Sequence, residues 1–247
     1  MKLRRLLAPL LPLPIAASAC ADTAPACERV VFERVPMTVC SYPRDADIRI
    51  HQRRPDGTPL RRPEDVARHL GEGETLRMAM NGGMYHADLS PVGLYVEGGM
   101  EAAPLVTRAG PGNFGLVPNG VFWIGADGAH VTETKAYAAL ASTLSTGPDF
   151  ATQSGPMLVV GGALHPRFLP NSTSLKIRNG VGVDADRVVF VKSEAPVNFH
   201  TFARYFRDEA KTPDALYLDG TVSRMWSMEL GRSGRRFPLG PVIAVVE

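Results

Sequence analysis

The chain has 247 residues, of which 45% are hydrophobic, 21% charged and 7% aromatic. This composition fits a folded globular protein with a sizeable core, and it excludes a disordered chain and a coiled coil. The formal net charge is only +2, so the basic face that binds nucleic acid through its phosphates is not expected.

The N-terminus has the pattern of a secretory signal peptide. Three basic residues precede an apolar run over residues 6–19 that is too short and too rich in proline to span a membrane. We predict a signal peptide over residues 1–21, cleaved after Ala19 or Ala21, and therefore an exported, periplasmic or secreted protein. Its removal lowers the formal net charge from +2 to −1, because three positive charges are lost.

Two variants of this leader stay open. Arg4-Arg5 loosely resembles a twin-arginine signal, and residues 17–20 resemble a lipoprotein cleavage box that lacks its usual large aliphatic residue. A lipid anchor on Cys20 is thus an alternative to free export. Residues 22–247 contain no internal repeat or linker, and we interpret them as one domain.

Cys27 and Cys40 remain in the mature chain and would meet an oxidising compartment. Two short strands lie between them, and strands paired side by side would bring the two thiols within bridging range. We predict a Cys27–Cys40 disulfide, with two free thiols as the alternative.

The 24 glycines and 21 prolines imply many turns, which separate short apolar segments. Nine segments have the pattern of strands: 47–51, 75–80, 92–96, 114–117, 121–124, 157–160, 188–192, 215–218 and 242–246.

Helical periodicity is clear only over Glu64–Leu70 and Phe199–Ala210, the second with Asn198 as its N-cap. We predict a single α+β domain whose core is an extensive mixed, largely antiparallel sheet, with two or three helices. A pure β-sandwich is the alternative.

Polar clusters follow two of the predicted strands. Asn81 precedes the glycine pair Gly82-Gly83, which permits close approach of a ligand to the main chain and offers N–H groups to an anion. Asp219 heads a second cluster with Gly220, Thr221 and Ser223. Each cluster is equally typical of an ordinary turn.

Arg178 stands just before Gly180, at the start of an apolar segment. Its guanidinium can bind a phosphate or a carboxylate, and the alternative is a surface arginine paired with Asp184 or Asp186.

Zinc signatures, a nucleophile elbow and a Walker loop are absent from the sequence. Isolated histidines are interpreted as surface residues: His69, His130 and His165.

Taken together and in order, residues 81–85, 119–122, 154–158, 178–182 and 218–223 resemble the phosphodiester glycosidase family. These proteins are bacterial relatives of the lysosomal uncovering enzyme, which removes N-acetylglucosamine from a masked mannose 6-phosphate. The resemblance covers Cys27 to Glu247 and implies an exported enzyme that hydrolyses a sugar-1-phosphodiester to free sugar and a phosphomonoester. Envelope or extracellular glycans are the expected substrates.

The resemblance and the chemistry together give each candidate residue a role. A phosphate is already a good leaving group, so the reaction needs mainly a cation at the phosphate and one carboxylate at the sugar. We expect Asp219 as nucleophile or general base, Arg178 as the phosphate ligand and Asn81 as a third catalytic residue. The expected substrate-binding residues are Gly82, Gly83, Tyr85, His86, Ser154, Gly155, Asn179, Gly220, Thr221 and Ser223.

Several points stay open at this stage. His86 or His200 is the candidate general acid, and Thr221-Val222 departs from the glycine-rich run of many relatives, so the substrate can differ. No cofactor is predicted, and a metal requirement and the oligomeric state are left undetermined. The partner is a glycosyl-phosphodiester small molecule or glycan, with no nucleic acid and no transmembrane segment.

Two other functions compete with this assignment. One is a phosphodiesterase that cleaves the P–O bond, which normally requires a metal centre. The other is a non-catalytic envelope protein that binds phosphorylated glycan in the same cleft.

Overall fold

Three antiparallel sheets make up the body of the computed structural model, which describes residues 26–219, 222–231 and 238–247. The predicted signal peptide, Cys20, Gly220 and Thr221 lie outside the described residues. The predicted α+β class and single domain are confirmed, and the pairings between the described strands are all antiparallel. No helix in the described ranges is long and apolar enough to cross a membrane.

The described strands, in chain order, are β1 (Cys27–Phe32), β2 (Val35–Pro43), β3 (Asp47–His51), β4 (Leu76–Asn81), β5 (Tyr95–Glu97), β6 (Met100–Ala103), β7 (Gly120–Gly125), β8 (Gly128–Glu133), β9 (Phe150–Ser154), β10 (Met157–Val160), β11 (Ala163–Leu164), β12 (Asn179–Val183), β13 (Arg187–Ser193), β14 (Asp214–Asp219), β15 (Met225–Ser227) and β16 (Val242–Val246). The seven-stranded sheet has the order β1-β2-β13-β12-β14-β10-β11. The four-stranded sheet has the order β15-β4-β16-β3, and the five-stranded sheet β6-β5-β9-β7-β8.

Successive side chains of β14 point to opposite faces of the seven-stranded sheet and pack in two different hydrophobic cores. Leu216 and Leu218 lie in a central core with residues from all three sheets, such as Met80 and Phe122. Ala215 and Tyr217 face the opposite side and pack in a second core, which the helix at residues 199–204 covers. β14 therefore lies between the two cores.

The helical segments are a 3-10 helix (Pro63–His69), α1 (Thr134–Ala141) and α2 (Phe199–Arg204), which continues as a π-helical turn (Tyr205–Glu209). Both helices expected from the sequence are present. The Asn198 side chain accepts a hydrogen bond from the Thr201 N–H at 2.8 Å, which confirms it as the N-cap of α2. The sequence analysis missed α1, whose cap is the less usual Glu133.

The Cys27–Cys40 disulfide is confirmed. The two residues are direct partners in the β1–β2 register, with 4.0 Å between their Cα atoms, and both are buried.

Among the strand predictions, residues 114–117 are wrong, because this segment forms turns and the Asn119 side chain donates to the Phe114 carbonyl. The segment predicted at 92–96 is a strand only from Tyr95 to Glu97.

Candidate active site

Polar residues from two sheets meet where β4, β12 and β14 end or begin. The side chain of Asn179, the first residue of β12, joins them: its Nδ2 donates to the Asn81 carbonyl at 2.9 Å, and its Oδ1 accepts from the Asp219 N–H at 2.9 Å. Asn179 is fully buried. This one amide therefore places Asn81 and Asp219, which are far apart in the chain, side by side.

Asn81 is fully buried and is fixed through its oxygen atoms. Its Oδ1 accepts from the backbone N–H of Arg224 at 2.7 Å and from Asn179 Nδ2 at 3.2 Å. Its Nδ2 is buried and has no hydrogen-bond partner within the described chain. Because an unused buried donor is costly, this Nδ2 group is a candidate to bind a ligand oxygen.

Asp219 is 9% exposed, and its backbone is fixed on both sides. In addition to the Asn179 bond, the Ser223 hydroxyl donates to the Asp219 carbonyl at 2.7 Å. Asp219 lines a pocket of about 350 Å³ whose other described lining residues are Met84, Tyr85, His86, Ala87, Val92 and Val222. Of the described lining residues, Asp219 is the one carboxylate, and it lies in a largely apolar wall.

Tyr85 and His86 share this pocket with Asp219, as expected from the sequence. Burial, with a smaller contribution from the negative charge of Asp219, raises the pKa of Tyr85 to about 12. The phenol is therefore a neutral hydrogen-bond donor near the carboxylate at neutral pH. His200 lies on α2 and, unlike His86, is not among the described lining residues.

Gly82 and Gly83 contribute to the site differently from the expectation. Gly82 N–H donates to the Pro241 carbonyl at 2.7 Å, and Gly83 N–H donates to the Thr152 hydroxyl at 3.2 Å. Neither amide is therefore available to an anion. A Cβ atom at position 83 would lie 2.4 Å from the Gln153 carbonyl oxygen, so glycine is required there for close packing rather than for a positive φ.

Ser154, Gly155 and Ser223 also have internal roles. The Ser154 hydroxyl donates to the Leu218 carbonyl at 2.8 Å and is fully buried. A Cβ atom at Gly155 would lie 2.7 Å from the Asn119 Cβ. Ser154 and Ser223 thus hold the end of β14 in place, and Gly155 packs closely against Asn119. None of these three residues is among the described lining residues of the pocket, and neither are Asn81, Asn179 and Arg178.

Arg178 is 1% exposed, so the surface-arginine alternative is wrong. Its Nε donates to the Val197 carbonyl at 2.8 Å, and its Nη2 donates to the Ser174 carbonyl at 2.9 Å. Its Nη1 is buried and has no hydrogen-bond partner in the described part of the chain. Burial lowers the arginine's pKa, whereas the nearby Tyr217 hydroxyl opposes this effect.

Tyr217 is a site residue that the sequence analysis missed. It is 1% exposed, and burial raises the pKa of its hydroxyl well above the usual range. The positive charge of Arg178 and the negative charge of Asp219 both act on it. The Arg178 Cζ atom lies 5.5 Å from the Tyr217 ring centroid, and Tyr217 precedes Asp219 by two residues on β14.

Arg224 is a second residue that the sequence analysis missed. It is 6% exposed, its backbone N–H binds Asn81, and its Nη1 donates to the Arg61 carbonyl at 3.0 Å. Burial lowers its pKa, and the nearby Tyr85 phenol counteracts this. Its place directly after Ser223 was the one available signal in the sequence.

A cluster of His51, His69 and Glu97 offers three ligand atoms within 4.8 Å of one another. The two imidazole rings are stacked 4.0 Å apart at an interplanar angle of 14°, so their lone pairs lie in nearly parallel planes and do not converge on one ion. Glu97 accepts hydrogen bonds from His51 Nδ1 at 2.8 Å and from the Tyr95 hydroxyl. This arrangement is a stacked, hydrogen-bonded cluster and lies outside the pocket lining.

The interpretation of the isolated histidines as surface residues is wrong for His165, whereas His69 and His130 are both partly exposed. His165 is 2% exposed and stacks on Phe168, and His69 stacks on His51. Burial lowers the pKa of both histidines. His130 is partly exposed and pairs with Asp127.

A family model and a sequence relative each match more than half of this chain. Residues 74–245 match the family model described as phosphodiester glycosidase. The Escherichia coli K12 protein YigE, which is described as uncharacterized, is 39% identical over 171 residues, or 69% of this chain. The chain covers 65% of the length of YigE.

Two solved structures share the fold at low identity. The catalytic domain of zebrafish N-acetylglucosamine-1-phosphodiester alpha-N-acetylglucosaminidase, auto-inhibited by its pro-peptide, matches 91% of this chain and 84% of its own, with a TM-score of 0.58 and 13% identity. A hypothetical protein from Synechocystis matches 89% of this chain and 61% of its own, with a TM-score of 0.52 and 12% identity.

Proposed function

Because this chain belongs to the phosphodiester glycosidase family, we propose that it hydrolyses a sugar-1-phosphodiester to free sugar and a phosphomonoester. The observation that carries the proposal is the carboxylate of Asp219, held on the wall of a largely apolar pocket beside Tyr85 and His86. A single carboxylate suits this reaction, because the departing phosphate carries its negative charge without needing a proton from a second carboxylic acid.

In the proposed reaction, the bond between the anomeric carbon and the bridging oxygen breaks, and the electron pair leaves with the phosphate. Either Asp219 attacks the anomeric carbon and forms a glycosyl ester, which water then hydrolyses at that carbon to release the sugar and the carboxylate, or Asp219 removes a proton from the water that attacks the anomeric carbon. In either case the oxygen of water ends on the sugar. His86 is proposed to donate a proton to the leaving oxygen where the aglycone requires it.

Arg178 is proposed to provide the positive charge for the phosphate through Nη1, the one nitrogen of its guanidinium without an acceptor in the described ranges. Asn81 Nδ2 is proposed to bind a sugar hydroxyl or a phosphate oxygen for the same reason. The proposal for Thr221 and Gly220 as substrate ligands rests on the sequence alone. The Gly82 and Gly83 amides are left out of it, because both already donate within the protein.

We also propose that the protein acts outside the cytoplasm, on envelope or extracellular glycans. The Cys27–Cys40 disulfide supports this location, since such bonds persist mainly in oxidising compartments. The leader pattern in residues 1–21 supports it independently.

The deciding experiment is hydrolysis of an N-acetylglucosamine-1-phosphodiester in oxygen-18 water, followed by mass measurement of both products. The label is expected in the sugar, which identifies cleavage of the glycosyl bond. Label in the phosphomonoester would instead establish P–O cleavage and overturn the mechanism. Binding of the substrate without turnover would favour a phosphoglycan-binding protein.

A further inference from the structure

A stack of aromatic rings ends on the guanidinium of Arg178. The Arg178 Cζ atom lies 3.6 Å from the ring centroid of Phe199, the first residue of α2. Phe168 stacks behind Phe199 at 4.9 Å and 6°, and His165 stacks behind Phe168 at 4.7 Å and 20°. Arg178 and these three side chains are therefore arranged as one continuous column.

The column is complemented by contacts around the edge of the guanidinium. Val197 and Ser174 accept from Nε and Nη2, and the segment that carries Ser174 is tied back by Asn198, whose Nδ2 donates to the carbonyls of Pro170 and Ser172. Hydrogen bonds thus hold two nitrogens at the edge of the Arg178 guanidinium, and the Phe199 ring covers one of its faces. Nη1 has no hydrogen-bond partner of good geometry among the described residues, and the Tyr217 hydroxyl is another polar group near the guanidinium.

Burial lowers the pKa of His165, whose ring ends the column, so this ring is neutral near neutral pH. His165 Nδ1 accepts from the Arg167 N–H at 3.2 Å, so the proton of the neutral ring lies on Nε2. Because the ring carries no charge, the column adds no repulsion to the arginine, and the negative faces of the aromatic rings attract the cation.

We propose that Phe199 is a positioning residue for phosphate recognition: it holds the Arg178 guanidinium so that Nη1 faces the phosphate of the substrate. Phe168 and His165 support Phe199 from behind. Phe199 acts only through Arg178, so its effect belongs to the phosphate and not to the sugar. The inference rests on the proposed function, in which Arg178 binds that phosphate.

The test compares inhibition by inorganic phosphate with inhibition by free N-acetylglucosamine during hydrolysis of the N-acetylglucosamine-1-phosphodiester. Phe199→Leu removes the aromatic face, and we expect the inhibition constant of phosphate to rise roughly tenfold while that of the sugar is unchanged. Phe199→Tyr keeps the ring and should restore phosphate inhibition. Phe168→Leu should give a smaller rise, and it serves as a second probe if Phe199→Leu does not fold.

Phe202→Leu is the matched control, because Phe202 is a fully buried phenylalanine of the same helix that packs in the second core. It should leave both inhibition constants unchanged even if it lowers stability. Arg178→Met supplies a second test: adding Phe199→Leu to it should produce no further loss of phosphate inhibition.

Equal changes in both constants, no change in either, or additive effects with Arg178→Met would each overturn the positioning role. If the wild-type protein does not hydrolyse the substrate, the proposed function fails separately. Calorimetric titration of inorganic phosphate into the same variants then decides the inference. A wild-type protein that binds no phosphate, or a Phe199→Leu protein that binds it equally well, would rule the role out.

Discussion

At the scale of single residues, two buried donors without acceptors belong to the proposed site. Six buried side-chain nitrogens lack a hydrogen-bond partner within the described residues, and two of these belong to Asn81 and Arg178. Such atoms are rare in folded proteins and call for an explanation. A bound sugar phosphate, which is rich in acceptor oxygens, explains both.

Asp219→Asn tests the central catalytic assignment. The amide keeps the shape of the side chain but is neither a nucleophile nor a base, so kcat should fall by about 10²–10⁴-fold with the fold intact. Asp214→Asn is the matched control at the opposite end of β14, where Asp214 accepts from the Gly161 N–H. Turnover at the wild-type rate by the Asp219→Asn protein, measured by release of free sugar, would remove Asp219 from the mechanism.

Arg178→Lys tests the phosphate ligand. Lysine cannot contact the Val197 and Ser174 carbonyls and an anion with the geometry of a guanidinium, so KM for the phosphodiester should rise roughly tenfold or more. Arg207→Lys, at a partly exposed arginine paired with Asp208, is the control and should match the wild type. Steady-state kinetics over a range of substrate concentrations separates KM from kcat; an unchanged KM argues against a contact with phosphate.

At the scale of elements, the disulfide should contribute to stability and not to catalysis. It links β1, an edge strand, to β2 at a sequence separation of 13, and closing a loop of this size is worth about 3 kcal/mol. We expect reduction, or the double variant Cys27→Ala with Cys40→Ala, to lower the free energy of unfolding by about that amount. Urea unfolding with and without reductant measures it, and kcat/KM on the same samples should not change.

Local sequence patterns predicted the bounds of strands better than they predicted which distant residues contact each other. The strands at 47–51 and 242–246 were predicted with the bounds that the structure has, because their apolar residues are bracketed by clear turn signals. Asp219 and Asn81 were identified because each ends an apolar strand. The use of the Gly82 amide depends on a group distant in sequence, the Pro241 carbonyl, which no local pattern specifies.

At the scale of the whole molecule, two sets of titrating groups act in the same direction. Burial lowers the pKa of His69 and His165, so the unfolded chain takes up protons below about pH 6.5 that the folded protein does not. Hydrogen bonds from arginine side chains or backbone amides help to keep the pKa of Asp65 and Asp184 below the usual value, despite burial. Their contribution is present above about pH 4 and is lost below it.

Stability should therefore fall in two stages on acidification, first below about pH 6.5 and again below about pH 4. Urea unfolding at pH 7.5, 5.5 and 3.5 measures both stages. His165→Phe should reduce the loss between pH 7.5 and 5.5 and leave the loss at lower pH unaffected. Stability that rises between pH 7.5 and 5.5 would contradict this assignment.

The bridging amide of Asn179 also bears on the order of events as the chain folds. It bonds to a residue 98 positions earlier and to another 40 positions later, in two different sheets. Closing such long loops is slow compared with forming hairpins, so the pocket is complete only after the sheets have docked. Recovery of hydrolysis during refolding should consequently follow the slowest structural phase, which would make activity a reporter of the final assembly step.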